Sequence, residues 1–184
     1  AIPNVPFELL AQKMRTCKTK LDFQKAFCYG ILWKIAEEHT NGLTLDHNAL
    51  PNKKKAYTYI SNHRDIILDS GFLSILLVDQ GMDTVEIAIG DNLLIYPWIE
   101  DLARVNKSFI VKRGLSARSV LESSQRLSAY IAHTITDKKQ SVWIAQREGR
   151  AKDSNDKTQE SLLKMFNMSG EGAFIENLIQ LNIC

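Results

Sequence analysis

The densest chemistry in the chain lies in Ser61-Asn62-His63-Arg64-Asp65-Ile66-Ile67-Leu68-Asp69-Ser70. His63 follows a run, Lys55 to Ile60, that reads as a buried strand, and two carboxylates come soon after it. Histidine is neutral yet basic near neutral pH, so it suits removal of a proton from a hydroxyl. A carboxylate on its other ring nitrogen fixes the tautomer and stabilises the imidazolium. Asp69 is the first choice for that carboxylate. On a helix starting near Asp65 it shares a stripe with Ile66, Leu73 and Leu76, and a charge among apolar residues needs a partner. Asp65 sits in the first turn, where the helix dipole alone favours an acid, and stays as the alternative.

Two later segments have a related shape. Phe109-Ile110-Val111-Lys112-Arg113 is an apolar strand ending in two cations, and side chains alternate along a strand. Lys112 and Arg113 should therefore face opposite ways, one of them into a cleft, where a guanidinium fork suits a phosphate. Trp143 to Ala145 reads as a strand ending in Gln146-Arg147-Glu148-Gly149-Arg150. There Gly149 permits a backbone that other residues resist, and Glu148 can bind a substrate hydroxyl or hold an arginine. Each segment alone is more simply a solvated strand end with weak ion pairs; the order of all three gives them weight. His63-Arg64-Asp65 also matches the kinase catalytic-loop tripeptide. No glycine-rich loop precedes it and no Asp-Phe-Gly follows, so that reading is rejected.

The elements that must position these groups follow from periodicity. Helices are expected over 6–15 and 21–39, the second carried by Phe23, Phe27, Ile31 and Ile35, with Asp22 near its start. Strands are expected at 43–46, 55–61, 85–89, 108–112 and 141–145, and the terminal stretch Asn177–Cys184 also reads as one. Helices are expected over 65–80, 97–105 and 116–137, the last capped by Ser116 with an apolar stripe of Val120, Leu127, Ile131 and Ile135. A further helix runs from a Thr158 cap to about Met168, and another starts within 172–177. Strands alternating with helices predict an α/β fold: a mixed or mostly parallel sheet with helices on both faces, preceded by a short helical segment. The organisation expected is a helical segment over 1–41 and an α/β domain over 42–184. Sites in such sheets gather at the carboxyl ends of strands, and His63, Arg113 and Glu148 each fall just past one.

Composition excludes more than it identifies. A net charge of +2 does not demand nucleic acid, and the acids interleaved with the basic loops argue against it. No apolar run approaches the ~18 residues that span a bilayer. Cys17, Cys28 and Cys184 are odd in number and lack metal-ligand spacing, so neither a disulfide framework nor a metal site is expected, and the compartment reads as cytosolic. The opening Ala1-Ile2-Pro3-Asn4 and the ending suggest a piece of a longer protein.

In this order, an Asn-His with a following Asp, an apolar strand ending in a basic residue, and a Glu-Gly with arginine, the chain resembles the glycerolipid acyltransferase superfamily over about Tyr57 to Lys152. The resemblance implies that His63 is the general base, oriented by Asp69 (or Asp65), with Asn62 beside it. It implies that Arg113, with Lys112, holds the acceptor's phosphate, and that Glu148, Gly149 and Arg150 form a second acceptor-binding block. It further implies transfer of a fatty acyl group from acyl-CoA or acyl-carrier protein to glycerol-3-phosphate or lysophosphatidic acid, in phospholipid synthesis. No bound cofactor or metal is expected, and the protein is placed at the cytoplasmic face of a membrane, attached peripherally. The departures are a five-residue His–Asp interval, wider than usual in the family, no residue between Glu148-Gly149 and Arg150, and no visible proline-bearing fourth block. Alternatives are a thioesterase-like hydrolase on the same scaffold and a non-catalytic phosphate- or membrane-binding module.

Overall fold

The structure, a computed structural model, describes residues 5–46, 52–153 and 157–184. The chain divides into two compact units, Ala1–Leu43 and Thr44–Cys184.

The first unit is helical. α1 (Phe7–Thr16) buries no residue. Thr19 opens the next helix through a reciprocal cap: its hydroxyl accepts from the Asp22 amide at 3.1 Å, and the Asp22 carboxylate accepts from the Thr19 amide at 2.9 Å. The helix expected over 21–39 is present in three consecutive pieces: α2 (Lys20–Phe23), a π-helical segment (Gln24–Tyr29) and α3 (Gly30–His39). The wider π turns change which residues are covered. Phe23, Leu32 and Ala36 are buried, whereas Ile31 is exposed, so the face advances by one residue from the predicted Ile31 and Ile35. Residues 43–46, expected as a strand, are irregular.

The second unit is a parallel α/β sheet. Its strands are β1 (Thr58–Ser61), β2 (Glu86–Gly90), β3 (Ser108–Val111) and β4 (Val142–Ala145), in the order β1-β4-β2-β3. All three pairings are parallel, so every strand delivers its carboxyl end to one edge. The interleaved helices are α4 (Leu68–Asp79), α5 (Pro97–Val105), α6 (Ala117–Thr136), α7 (Glu160–Phe166) and α8 (Phe174–Gln180). Alternation along β4 separates two cores. Val142 and Ile144 pack with Ile131 and Ile135 of α6 and Met165 and Phe166 of α7. Trp143 packs on the other face with Tyr59, Val85 and Leu77 of α4. The buried face of α4 carries the small residues Ser70, Gly71 and Ser74 beside Ile75 and Leu77.

Several boundaries differ from expectation. Ser116 caps α6 as predicted, accepting from the Ser119 amide, but Val120 is exposed: the stripe is buried only from Leu127 onward, where the sheet lies beneath it. Thr158 does not cap α7; Gln159 takes that place, and the Thr158 hydroxyl turns to Gln146. The helix expected to start within 172–177 is α8, and it continues to Gln180, so residues 177–180 are helical rather than extended; Glu176 reaches back to the Ala173 amide and Asn177 bonds Gly172 and Asn167. Only Ile183 then bridges in parallel to Thr58 beside β1. Among the described residues no helix is long and apolar enough to cross a membrane.

Candidate active site

β1 ends at Ser61, and the chain turns at Asn62, whose side-chain oxygen accepts from the His63 amide at 3.0 Å. His63 Nδ1 lies 2.8 Å from Asp69 Oδ2. That same oxygen accepts from the backbone amides of Arg64 at 2.8 Å and Asp65 at 3.0 Å. Three donors therefore fix one carboxylate oxygen, and the imidazole is held by a group that cannot itself swing away. Because Asp69 accepts, Nδ1 carries the proton and Nε2 the lone pair. Both side chains are about 20% exposed, reachable yet mostly shielded. The His63 ring meets the edge of Trp143 at 5.6 Å, and the Trp143 indole donates to Ser61 Oγ at 2.9 Å, which ties the ring's floor to β1.

The alternative acid has a different task. The helix begins at Leu68 rather than near Asp65. Asp65 Oδ1 accepts from the amides of Ile67 and Leu68, both at 2.9 Å. These two hydrogen bonds hold its carboxyl below the usual aspartate range, and the charge of Arg150 adds to the effect. Asp65 thus caps the entry to α4, while Asp69 faces the histidine. The sequence placed both acids on one helix; in the structure Asp65 precedes the helix, so the two point to different groups.

The other segments meet at the same edge. The Arg113 side chain lies over Gly90 at the end of β2, so close that a Cβ there would come within 2.7 Å of its Nε. Its amide donates to Asp91 Oδ1 at 3.2 Å, and its guanidinium stands 4.0 Å from Glu148 Oε1 beyond β4. The pair is loose and exposed, which leaves guanidinium donors open to an anion. Lys112 is exposed and lines a separate groove of about 530 Å³, together with Phe109, Leu115, Leu127 and Tyr130. Of the two cations, then, Arg113 joins the strand-end cluster and Lys112 does not.

The loop after β4 is bound to the histidine loop. Gly149 takes a φ of +74°, the left-handed turn that lets the chain double back. The Ala151 amide then donates to the His63 carbonyl at 2.6 Å, Arg64 donates to the Asp153 carbonyl at 3.2 Å, and Arg147 pairs with the Asp153 carboxylate at 2.9 Å. Arg150 lies near enough to Asp65 to act on its charge. Sequence reasoning missed Gly90, Asp91, Trp143, Ala151 and Asp153. The one local signal was Gly90-Asp91 closing an apolar run; Trp143 reads as core until its ring is seen against His63.

The parallel α/β sheet brings an aspartate-held histidine, a turn glycine and a lightly paired arginine to its strand ends, an arrangement in which an imidazole can accept a proton. A family model described as Acyltransferase matches residues 44–175 of the 184-residue chain. The chain belongs to that family, the glycerolipid acyltransferases, and its reaction is O-acyl transfer. No curated protein matches the sequence.

Proposed function

We propose that the protein transfers a fatty acyl group from a thioester, acyl-CoA or acyl-carrier protein, to the hydroxyl of glycerol-3-phosphate or lysophosphatidic acid, at a membrane surface in phospholipid synthesis. The observation that carries this reading is the His63–Asp69 contact at 2.8 Å on the strand-end edge that also holds Arg113. His63 Nε2 takes the acceptor's hydroxyl proton as the oxygen attacks the thioester carbonyl. Asp69 stabilises the imidazolium so formed. The tetrahedral intermediate collapses by breaking its C–S bond, and the imidazolium returns the proton to the leaving thiolate. Ester and free thiol result, and atoms and protons balance. Arg113 takes the acceptor's phosphate, its fork suiting two oxygens, and Glu148 positions that fork. Asn62, Gly149 and Arg150 shape the loops around the acceptor, and Lys112 stands at the rim for a further anionic group.

The test is thiol release from a long-chain acyl-CoA and from acyl-carrier protein, with each acceptor in turn and with none. Acceptor-dependent release, reduced on the order of 10²–10⁴ in His63→Ala, is the expected result. Release that ignores the acceptor would make the protein a hydrolase, and turnover unchanged in His63→Ala would remove the mechanism.

A further inference from the structure

A polar side chain at the carboxyl edge of the sheet is buried with one end unpaired. Gln146 directly follows β4 and is 8% exposed. Its backbone is bonded on both sides: the amide donates to the Ser61 carbonyl at 2.9 Å, and the carbonyl accepts from the Gln159 amide at 2.8 Å. Its side-chain oxygen accepts from the Thr158 hydroxyl at 3.5 Å. Its side-chain nitrogen has no hydrogen-bond partner among the described residues. A buried donor left unpaired costs stability, so its retention needs a cause. The buried hydroxyls of Tyr59, Ser74 and Thr134 are also unpaired, but they lie within β1, α4 and α6; Gln146 stands past a strand end, at the edge that carries His63 and Arg113.

Register and alternation give the place of that nitrogen a meaning. Glu86 pairs with Val142 and Ile87 with Trp143; carried onward, the same register sets Gln146 level with Gly90. Val142 and Ile144 pack on the α6 face, so Gln146 leaves the sheet on that face too. Ala88 packs there as well, so the side of Gly90 that lacks a side chain faces the same way, and the Arg113 guanidinium lies over it. Gln146 and Arg113 therefore stand on one face at neighbouring strand positions. An amide nitrogen and a guanidinium are both donors, so neither satisfies the other, and both suit an anion's oxygens. β4 lies between β1 and β2, so an acceptor with its hydroxyl at His63 and its phosphate at Arg113 crosses the strand end that carries Gln146. We infer that the Gln146 amide donates to an oxygen of the acceptor's phosphate beside Arg113, and so helps to select phosphorylated acceptors. The inference rests on the acceptor reading proposed for Arg113. That side chain is loosely held, 4.0 Å from Glu148, so a phosphate that draws the guanidinium outward opens the way to the buried nitrogen.

The experiment compares the full chain with Gln146→Met, which keeps the length and removes the donor, and with Gln146→Glu, which replaces the donor by a carboxylate. Titration calorimetry with glycerol-3-phosphate measures binding without turnover, KM is measured for the acceptor and for the thioester, and urea unfolding reads the fold. The expected result for Gln146→Met is acceptor binding about tenfold or more weaker, with acceptor KM raised to match. Its thioester KM should equal that of wild type. Its urea midpoint should be no lower than that of wild type, because an unpaired buried donor has been removed. Gln146→Glu should bind the phosphate more weakly still, since like charges then meet. Acceptor binding equal to wild type in either variant would overturn the inference. So would a lowered urea midpoint or failure to fold in Gln146→Met, which would give the amide a structural partner in place of the phosphate. A wild type that binds no glycerol-3-phosphate would overturn the inference and the acceptor reading together. If the wild type binds it through Gln146 but acylates no acceptor, the anion site stands and the reaction assigned to it falls.

Discussion

At the residue scale, the two aspartates near His63 differ in what a substitution should remove. Asp69→Asn keeps the shape but replaces a carboxylate held by two backbone amides and Nδ1. An amide presenting N–H toward His63 would favour the wrong tautomer, so kcat should fall on the order of 10³–10⁴ with circular dichroism unchanged. Asp65→Ala removes a cap instead. It should cost about 1 kcal/mol in urea unfolding at neutral pH and spare most of the turnover. The sign of its pH dependence follows from the lowered carboxyl. A carboxylate whose folded value lies below its ordinary 3.8 contributes its full stability above that value and loses it as pH falls through the folded one. The unfolding midpoints of wild type and Asp65→Ala should therefore differ at pH 7 and converge in acid below the ordinary aspartate value. An inactive Asp65→Ala that unfolds like wild type would exchange the two roles.

At the element scale, the arginine depends on a glycine in another strand. Gly90→Ala would place a Cβ against the Arg113 guanidinium and the Asn92 side chain. Displacing a charged hydrogen-bonding group costs about 1.5–3 kcal/mol, so KM for a phosphorylated acceptor should rise roughly ten- to hundredfold. kcat should move little, because His63 belongs to a different strand end. Comparing phosphorylated and unphosphorylated acceptors checks this, and an equal loss on both would separate Arg113 from phosphate recognition. Element existence was largely legible: β1 to β4 and α4 to α6 follow the alternation and helical periodicity of their own residues. The misses have local causes. The π segment is invisible because a hydrophobic pattern cannot show where turns widen. Thr158 had cap chemistry but found Gln146 within reach instead.

At the scale of the whole molecule, the two edges of the sheet carry different work. The amino end of β2 holds Glu86, buried at 8% exposure, which accepts from Tyr130 Oη at 2.5 Å and from Lys138 Nζ. Desolvation, with the Glu86 carboxylate beside it, raises the Tyr130 hydroxyl above its usual range and keeps it a donor. Lys138→Met leaves that carboxylate short of a charged partner. It should cost about 1–3 kcal/mol in chemical denaturation while leaving KM and kcat at low denaturant unchanged. A kinetic effect without a stability loss would link the two edges. The carboxyl edge, by contrast, carries exposed apolar rings and the loosely paired Arg113.

Local pattern alone determined that this chain alternates strands and helices, that a histidine with a following aspartate stands past the first long strand, and that cations close the third. Those facts depend on neighbours within a turn or a pleat, which is the range over which periodicity and capping act. Only the tertiary structure decided that Asp69 rather than Asp65 meets His63, because the helix starts three residues later than its pattern suggests. Likewise only the strand order β1-β4-β2-β3 puts β4 between β1 and β2, so that its loop bonds the histidine carbonyl on one side and stands before Arg113 on the other. Strand order is set by which faces bury which side chains across distances of eighty residues and more along the chain, as Tyr59 with Trp143 illustrates, and no stretch of sequence carries that information by itself.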